Sequence, residues 1–268
     1  MSQTTASPAL AEELRRWRRT RRLSQLDLAI RAGTTQRHLS YVEQGRSRPG
    51  RAMVLRLAEA LDLSLRDRNG LLLSAGSAPV FPESRLDSRE LGAVRDALDR
   101  ILEGHMPCPA VVVRPYGELV AANRAFSLLT EGCAAELLDP PVNVLRLALH
   151  PKGLAGRVDN LAEWGGHIIQ SLRSESSRSP DPRLDALIAE LDGYLPSVEP
   201  GPDHLGFAVP LRLHSDDGEL HLITTLTSFA TAVDVTLAEL RLEAFLPADD
   251  ATAAILERKA RASTTGEG

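Results

Sequence analysis

The chain has 268 residues, 43% of them hydrophobic and 25% charged, which is enough for one large or two small packed domains and excludes a disordered polymer. Its net charge of −5 conceals an asymmetry: residues 1–77 carry 14 Arg against 7 Asp and Glu, a net +7, whereas residues 78–268 carry 17 Lys and Arg against 29 acidic residues, a net −12. Cys108 and Cys133 alone make neither a disulfide framework nor a zinc site, and the absence of an apolar signal core or an 18-residue apolar run predicts a cytoplasmic protein with no membrane insertion.

A basic head on an acidic body suits a module that grips a polyanion, joined to one that does not. Leu10–Arg21 reads as a helix with Leu14 and Trp17 inward and arginines around the rest. Ser24 is placed to cap a second helix, Gln25–Ala32, in which Leu26, Ala29 and Ile30 recur at helical spacing. Gly33 supplies a turn, and Thr35 is placed to cap a third helix, Gln36–Gln44, with Leu39 and Val42 on its inner face. Gly45 stops it. Two short helices crossing at a small residue, Ala29, with Gly33 four and Leu39 ten residues later, have the spacing of a DNA-reading helix-turn-helix. Arg51–Leu61 and a Ser64-capped helix, Leu65–Ser74, complete five helices.

On the third helix, Gln36, Arg37, Ser40, Tyr41 and Gln44 lie opposite the Leu39 and Val42 face. Gln pairs bidentately with adenine, Arg with guanine, and Tyr reaches a thymine methyl or a phosphate; a solvated polar face is the bland alternative. The arrangement over residues 10–75, above all GTTQRHLSYVEQG, resembles the lambda-repressor-like (XRE) helix-turn-helix family. That resemblance implies base contacts from Gln36, Arg37 and Tyr41 and phosphate contacts from Gln25 and the loop after Gly45; the expected site as a whole comprises Thr35, Gln36, Arg37, Ser40 and Tyr41 at base edges and Gln25, His38, Gln44, Arg46, Arg48 and Arg51 at phosphates. The resemblance also implies an internal ion pair between Arg18 and Glu43, making Glu43 structural.

Gly, Pro and Ser punctuate residues 76–86, and a helix, Ser88–Leu102, follows with Leu91, Val94, Leu98, Ile101 and Leu102 on one face. It is either a lever or dimer strip between domains or a cover for the next core. Ala110–Val113 reads as a strand, Tyr116-Gly117 as a turn and Glu118–Ala122 as its partner strand. Helices are predicted over Asn123–Leu129, Val144–Leu149, Leu154–Ser174 and Arg183–Leu195. Strands follow over Gly206–Leu213 and Glu219–Phe229 about an Asp216-Asp217-Gly218 turn, then an extended Leu237–Phe245 and a last helix, Ala251–Ala260. The predicted fold class is α followed by α+β: a five-helix domain (1–76), a linker and connecting helix (77–104), an antiparallel sheet with helices packed on one face (105–250), and a C-terminal helix and tail (251–268).

Such a sheet and its helices commonly enclose a small-molecule pocket. The order of elements and the stretches AANRAF, NVLRLALHPKGLAGRVDNLAEW and GELHLITTLTSFATAVDVTLAELRLEAFLPAD resemble the MmyB-like ligand-binding domain, a PAS-like fold found behind XRE domains in bacterial repressors. Commoner members carry a Trp before the Asn at 123, where this chain has Ala122, so no role of that aromatic is carried over. The resemblance implies a pocket for a fatty-acid-like or other lipophilic effector. Arg146, alone among Val144, Leu145, Leu147, Ala148 and Leu149, is a candidate for a ligand carboxylate or for an internal ion pair. Asn123 is a candidate N-cap or ligand contact, and Trp164, Phe207 and Phe229 are candidate core residues that would also wall a pocket. His214 and His221 flank the hairpin turn but make a poor metal site. No phosphate loop, nucleophile elbow or spaced acidic pair appears, so neither enzyme activity nor a cofactor is expected. The reading is a one-component repressor, a homodimer on an inverted repeat of double-stranded DNA. A DNA-tethered enzyme and a protein-interaction module are its rivals.

Overall fold

Ser24, Thr35 and Ser64 each cap a helix in the computed structural model, which describes residues 8–196, 209–229 and 231–265. The chain divides into two units: Met1–Ser84 with Ser177–Ser179 and Thr231–Ala238, and Arg85–Ser176 with Pro180–Ala230 and Glu239–Gly268.

The first unit holds α1 (Pro8–Thr20), α2 (Gln25–Arg31), α3 (Gln36–Glu43), α4 (Arg51–Ala60) and α5 (Leu65–Ser74). Leu14, Trp17, Leu28, Ala29, Leu39, Val42, Val54, Ala58, Leu61 and Leu71 share one apolar core. Ser24 and Asp27 form a full capping box, the hydroxyl accepting from Asp27 N at 3.1 Å and the carboxylate from Ser24 N at 3.0 Å. Gly33 turns between α2 and α3 at φ 62°, where a side chain would be strained.

The phase of α2 differs from the sequence reading. Leu28 and Ala29 are buried, whereas Leu26 is 50% and Ile30 68% exposed. A seven-residue helix has room for one buried stripe, and the small Ala29 brings that stripe against α3. The punctuated stretch is also less free than its composition implies. Asn69 on α5 accepts from Val80 N and Phe81 N and donates to the Phe81 carbonyl, which ties residues 80–81 to the helical core.

The second unit begins with α6 (Gly92–Gly104), then β1 (Ala110–Val113) and β2 (Leu119–Ala122). Next come α7 (Ser127–Thr130), α8 (Val144–Leu149), α9 (Leu161–Arg178) and α10 (Pro182–Asp192), then β3 (Leu211–Ser215), β4 (Gly218–Ser228), β5 (Arg241–Pro247) and α12 (Asp250–Thr265), whereas α11 (Val235–Glu239), between β4 and β5 in the chain, falls with the first unit through Ala238, as do the last two residues of α9. The five strands form one antiparallel sheet in the order β2-β1-β5-β4-β3. Leu211, Leu213, Leu220, Leu222, Val111, Val113 and Phe245 meet helical residues such as Leu149, Trp164, Ile169 and Leu191 in a second core. Alternation places these strand residues on one sheet face.

Two segments correct the sequence reading. The helix expected over Leu154–Ser174 is a short 3-10 turn, Leu154–Arg157, followed by α9. The extended segment expected from Leu237 starts as α11, because the Asp234 carboxylate accepts from Leu237 N and opens a helical turn. Residues 206–208 of the strand expected over Gly206–Leu213 lie outside the described residues.

Candidate nucleic-acid interface and ligand-binding domain

The α3 helix presents two faces. Leu39 and Val42 are fully buried, while Gln36, Arg37, Tyr41 and Gln44 are exposed and Ser40 is half-buried. The polar face is pre-arranged: Arg37 Nε donates to Tyr41 Oη at 3.2 Å with its guanidinium over the ring, and Gln44 Nε2 donates to Ser40 Oγ at 3.0 Å. Thr35 spends its oxygen on the cap, accepting from His38 N at 3.1 Å, and keeps a hydroxyl hydrogen to donate.

Glu43 is 2% exposed and binds Arg18 through Nε at 2.7 Å and Nη2 at 2.9 Å, as the ion-pair expectation required. Sequence reasoning missed its third partner, Gln25, whose Nε2 donates to Glu43 Oε2 at 2.7 Å. Glu43 therefore fixes the Gln25 amide and uses one of its two N–H donors. Gln25, Gln44 and Arg46 line one open cleft of about 690 Å³ with Arg15 and the start of α1. Arg46 and Arg51 are exposed. Arg48, expected only at phosphate, donates through Nη2 to the Ala75 carbonyl at 3.1 Å, so part of its fork holds the end of α5.

Arg146 gives both arms to Glu190 on α10, Nε at 2.7 Å and Nη2 at 2.8 Å, and that carboxylate keeps its pKa below the usual range. Of the two readings open for Arg146, the folded chain adopts the internal pair. Asn123 is buried, but its side chain caps no helix. It accepts instead from Ala110 N and donates to the Leu102 and Cys108 carbonyls, so its amide is fully used. Trp164 is a core residue, 6% exposed. Phe229 lies just past β4, half-buried and outside the core cluster, and Phe207 lies outside the described residues. His214 faces Asp159, and His221 sits between Glu219 and Asp249; the strand register sets His214 opposite Glu219 and His221 opposite Arg212. Among the described residues no three His, Cys, Asp or Glu side chains are grouped to hold a metal.

Glu243 was not singled out by the sequence reading. It lies on β5, in the middle of the sheet, and its direct cross-strand neighbours are Val111 on β1 and Leu226 on β4. It has no hydrogen-bond or ion-pair partner among the described residues. Arg241, two residues earlier on the same face, donates to the Leu240 carbonyl. Burial pushes the Glu243 carboxyl above its ordinary range, with no charge to offset it. A carboxyl whose pKa is raised in the folded state contributes stability that is present below its unfolded value and lost as pH rises through the folded one. Glu243→Gln should therefore raise the melting temperature at neutral pH and leave it unchanged below the usual carboxylate range. Equal melting temperatures for both proteins at every pH would refute this.

Comparison with known proteins agrees with both halves. A family model described as a helix-turn-helix domain matches residues 9–71. A second, the MmyB-like transcription regulator ligand binding domain, matches residues 94–258, more than half of the chain. An uncharacterized HTH-type transcriptional regulator, y4dL, from Sinorhizobium fredii is 38% identical over 56 residues, which cover 21% of this chain and 29% of the relative. Among solved structures, the clp gene regulator ClgR from Corynebacterium glutamicum aligns at 24% identity over 40% of this chain and 99% of that one, with a TM-score of 0.24. An RNA-binding light-oxygen-voltage receptor aligns at 16% identity over 96% and 64%, with a TM-score of 0.26. At such scores neither structure bears on the fold. Among the described residues no helix is long and apolar enough to cross a membrane. With a helix-turn-helix domain at its N-terminal end and a ligand-binding domain matched over more than half of its length, the chain belongs to the family of the MmyB-like transcription regulator ligand binding domain.

Proposed function

We propose that the chain is a bacterial one-component repressor, acting in the cytoplasm as a homodimer on an inverted-repeat operator and released by a lipophilic small molecule bound in its PAS-like second unit. The observation that carries the DNA half is the capped α3 helix, with Leu39 and Val42 buried and Gln36, Arg37 and Tyr41 exposed on the opposite face. One half-site would bind weakly and ambiguously, which favours a dimer. No catalytic role is assigned. A carboxylate ligand at Arg146 would have to displace Glu190, which accepts from both arms of its fork.

Base readout is assigned to Thr35, Gln36, Arg37, Ser40 and Tyr41, and phosphate grip to Gln25, His38, Gln44, Arg46 and Arg51, with Arg48 shared between DNA and the Ala75 carbonyl. Selection from a randomised operator library tests this division. Arg37→Ala should relax preference at one base pair per half-site, at about 1–3 kcal/mol. Arg46→Ala should weaken all sequences alike and reduce the salt slope by about 1 per protomer. Identical profiles for the two variants would defeat the split between readout and grip.

A further inference from the structure

One face of the sheet changes character along its length. Around Val111, Val113, Leu222 and Phe245 it is closed by the helical core. Along the far half of β4 the same face is open: Thr224 and Ser228 are exposed and Leu226 is 63% exposed. Register pairs Thr224 with Phe245, Leu226 with Glu243 and Ser228 with Arg241, so these side chains share a face. Glu243 stands at the border, between buried Val111 and open Leu226, with part of its own surface still accessible.

Every other anionic group described above has an answering donor: Glu43 has Arg18 and Gln25, Glu190 has Arg146, Asp159 has His214. Glu243 has none among the described residues, although an unpaired carboxylate beside apolar neighbours is unfavourable. Central strands are ordinarily apolar on a face that meets a core. A carboxylate kept there without a partner among the described residues is complementary to a group that brings both positive charge and N–H donors, carried on an apolar body that covers Leu226.

We propose that the open face of β4 and β5 binds a small lipophilic cation, an amine or amidine, whose charged head is held by the Glu243 carboxylate. The inference rests on the reading of the second unit as a small-molecule sensor and specifies the ligand it takes. A fatty-acid anion would set its carboxylate against that of Glu243 and is disfavoured. Cationic head and carboxylate form a charge-assisted hydrogen bond, stronger than its neutral counterpart. The tail excludes water from it.

The test uses the full-length protein and three probes with one tail, dodecylammonium, dodecanol and dodecanoate, titrated calorimetrically below their micellar concentrations at neutral pH. The wild type should bind dodecylammonium at least about tenfold more tightly than dodecanoate. Glu243→Gln, nearly the same in shape, should lose that preference. Leu226→Lys, at an exposed position, places an ammonium of the chain's own opposite Glu243; it should block dodecylammonium and raise the melting temperature. Wild-type preference for dodecanoate or dodecanol, or a cation preference that survives Glu243→Gln, overturns the headgroup assignment while leaving the sensor reading intact. Failure of all three probes to bind overturns both. A lower melting temperature for Glu243→Gln would reveal an internal partner for the carboxylate and likewise overturn the assignment.

Discussion

Asn123→Ala should destabilise the second unit by about 3 kcal/mol. The residue is 7% exposed, and its amide serves three separate backbone segments. Its Oδ1 accepts from Ala110 N at 3.1 Å, where β1 begins. Its Nδ2 donates to Cys108 O at 2.8 Å in the preceding loop and to Leu102 O at 3.1 Å near the end of α6. Alanine strands one N–H and two carbonyls, each costing about 1–3 kcal/mol where water cannot reach, with partial relief where it can. Asn123→Asp should be worse than alanine, because it keeps the acceptor but aims a carboxylate at two carbonyl oxygens. The two tryptophans, Trp17 and Trp164, fall in different units, so Trp164 fluorescence in a Trp17→Phe background reports this unit alone during urea unfolding. A loss below about 1 kcal/mol would mean that the three backbone groups find other partners.

What the sequence disclosed and what it withheld divide along the distance over which each signal acts. Ala110–Val113 and Val144–Leu149 are read to the residue, because a β-branched run and an apolar run between a cap and His150-Pro151 are local instructions. The helix-turn-helix is legible for the same reason: its caps, its glycine and its Leu39–Val42 spacing lie within a few residues of one another. The Arg146 ion pair was left as one of two readings because its partner, Glu190, lies 44 residues away on another helix, and no local pattern announces that pairing. Asn123 was read as a cap because it precedes a helical turn, yet the carbonyls it serves belong to segments that only the fold brings together. The phase of α2 was misread because Leu26, Ala29 and Ile30 keep helical spacing whether or not anything covers them. Glu243 went unnoticed because its meaning depends on sheet order. Only the placement of β5 between β1 and β4 turns one acidic residue in an alternating strand into a carboxylate unanswered among the described residues, with apolar neighbours on both sides.

Glu43→Ala is expected to have the largest combined effect on the first unit, lowering its stability by about 3 kcal/mol and weakening operator binding at once. The carboxylate joins three helices: it takes two charge-assisted bonds from Arg18 on α1 and one from Gln25 on α2 while riding on α3. The Arg18 side chain is only 14% exposed and also donates to the Leu23 carbonyl just before α2. Removing Glu43 leaves that guanidinium without its counter-ion in a partly buried place, which costs more than the pair itself contributes. It also frees the Gln25 amide, whose remaining N–H is assigned to phosphate. The lost grip should therefore fall on all sequences equally, unlike the change at Arg37. Glu43→Gln keeps the volume and one acceptor but turns an amide N–H toward those of Gln25, so it should recover about half of the stability and little of the affinity. In a Trp164→Phe background, Trp17 reports unfolding of this unit, and operator titrations on the same protein report the grip. A double-mutant cycle with Gln25→Ala separates the two consequences: affinity losses should be non-additive, because both substitutions remove one contact, whereas the stability loss of Glu43→Ala should persist in the Gln25→Ala protein. Additive affinity losses would show that Glu43 does not act through Gln25, and an unchanged unfolding midpoint would show that Arg18 does not depend on it.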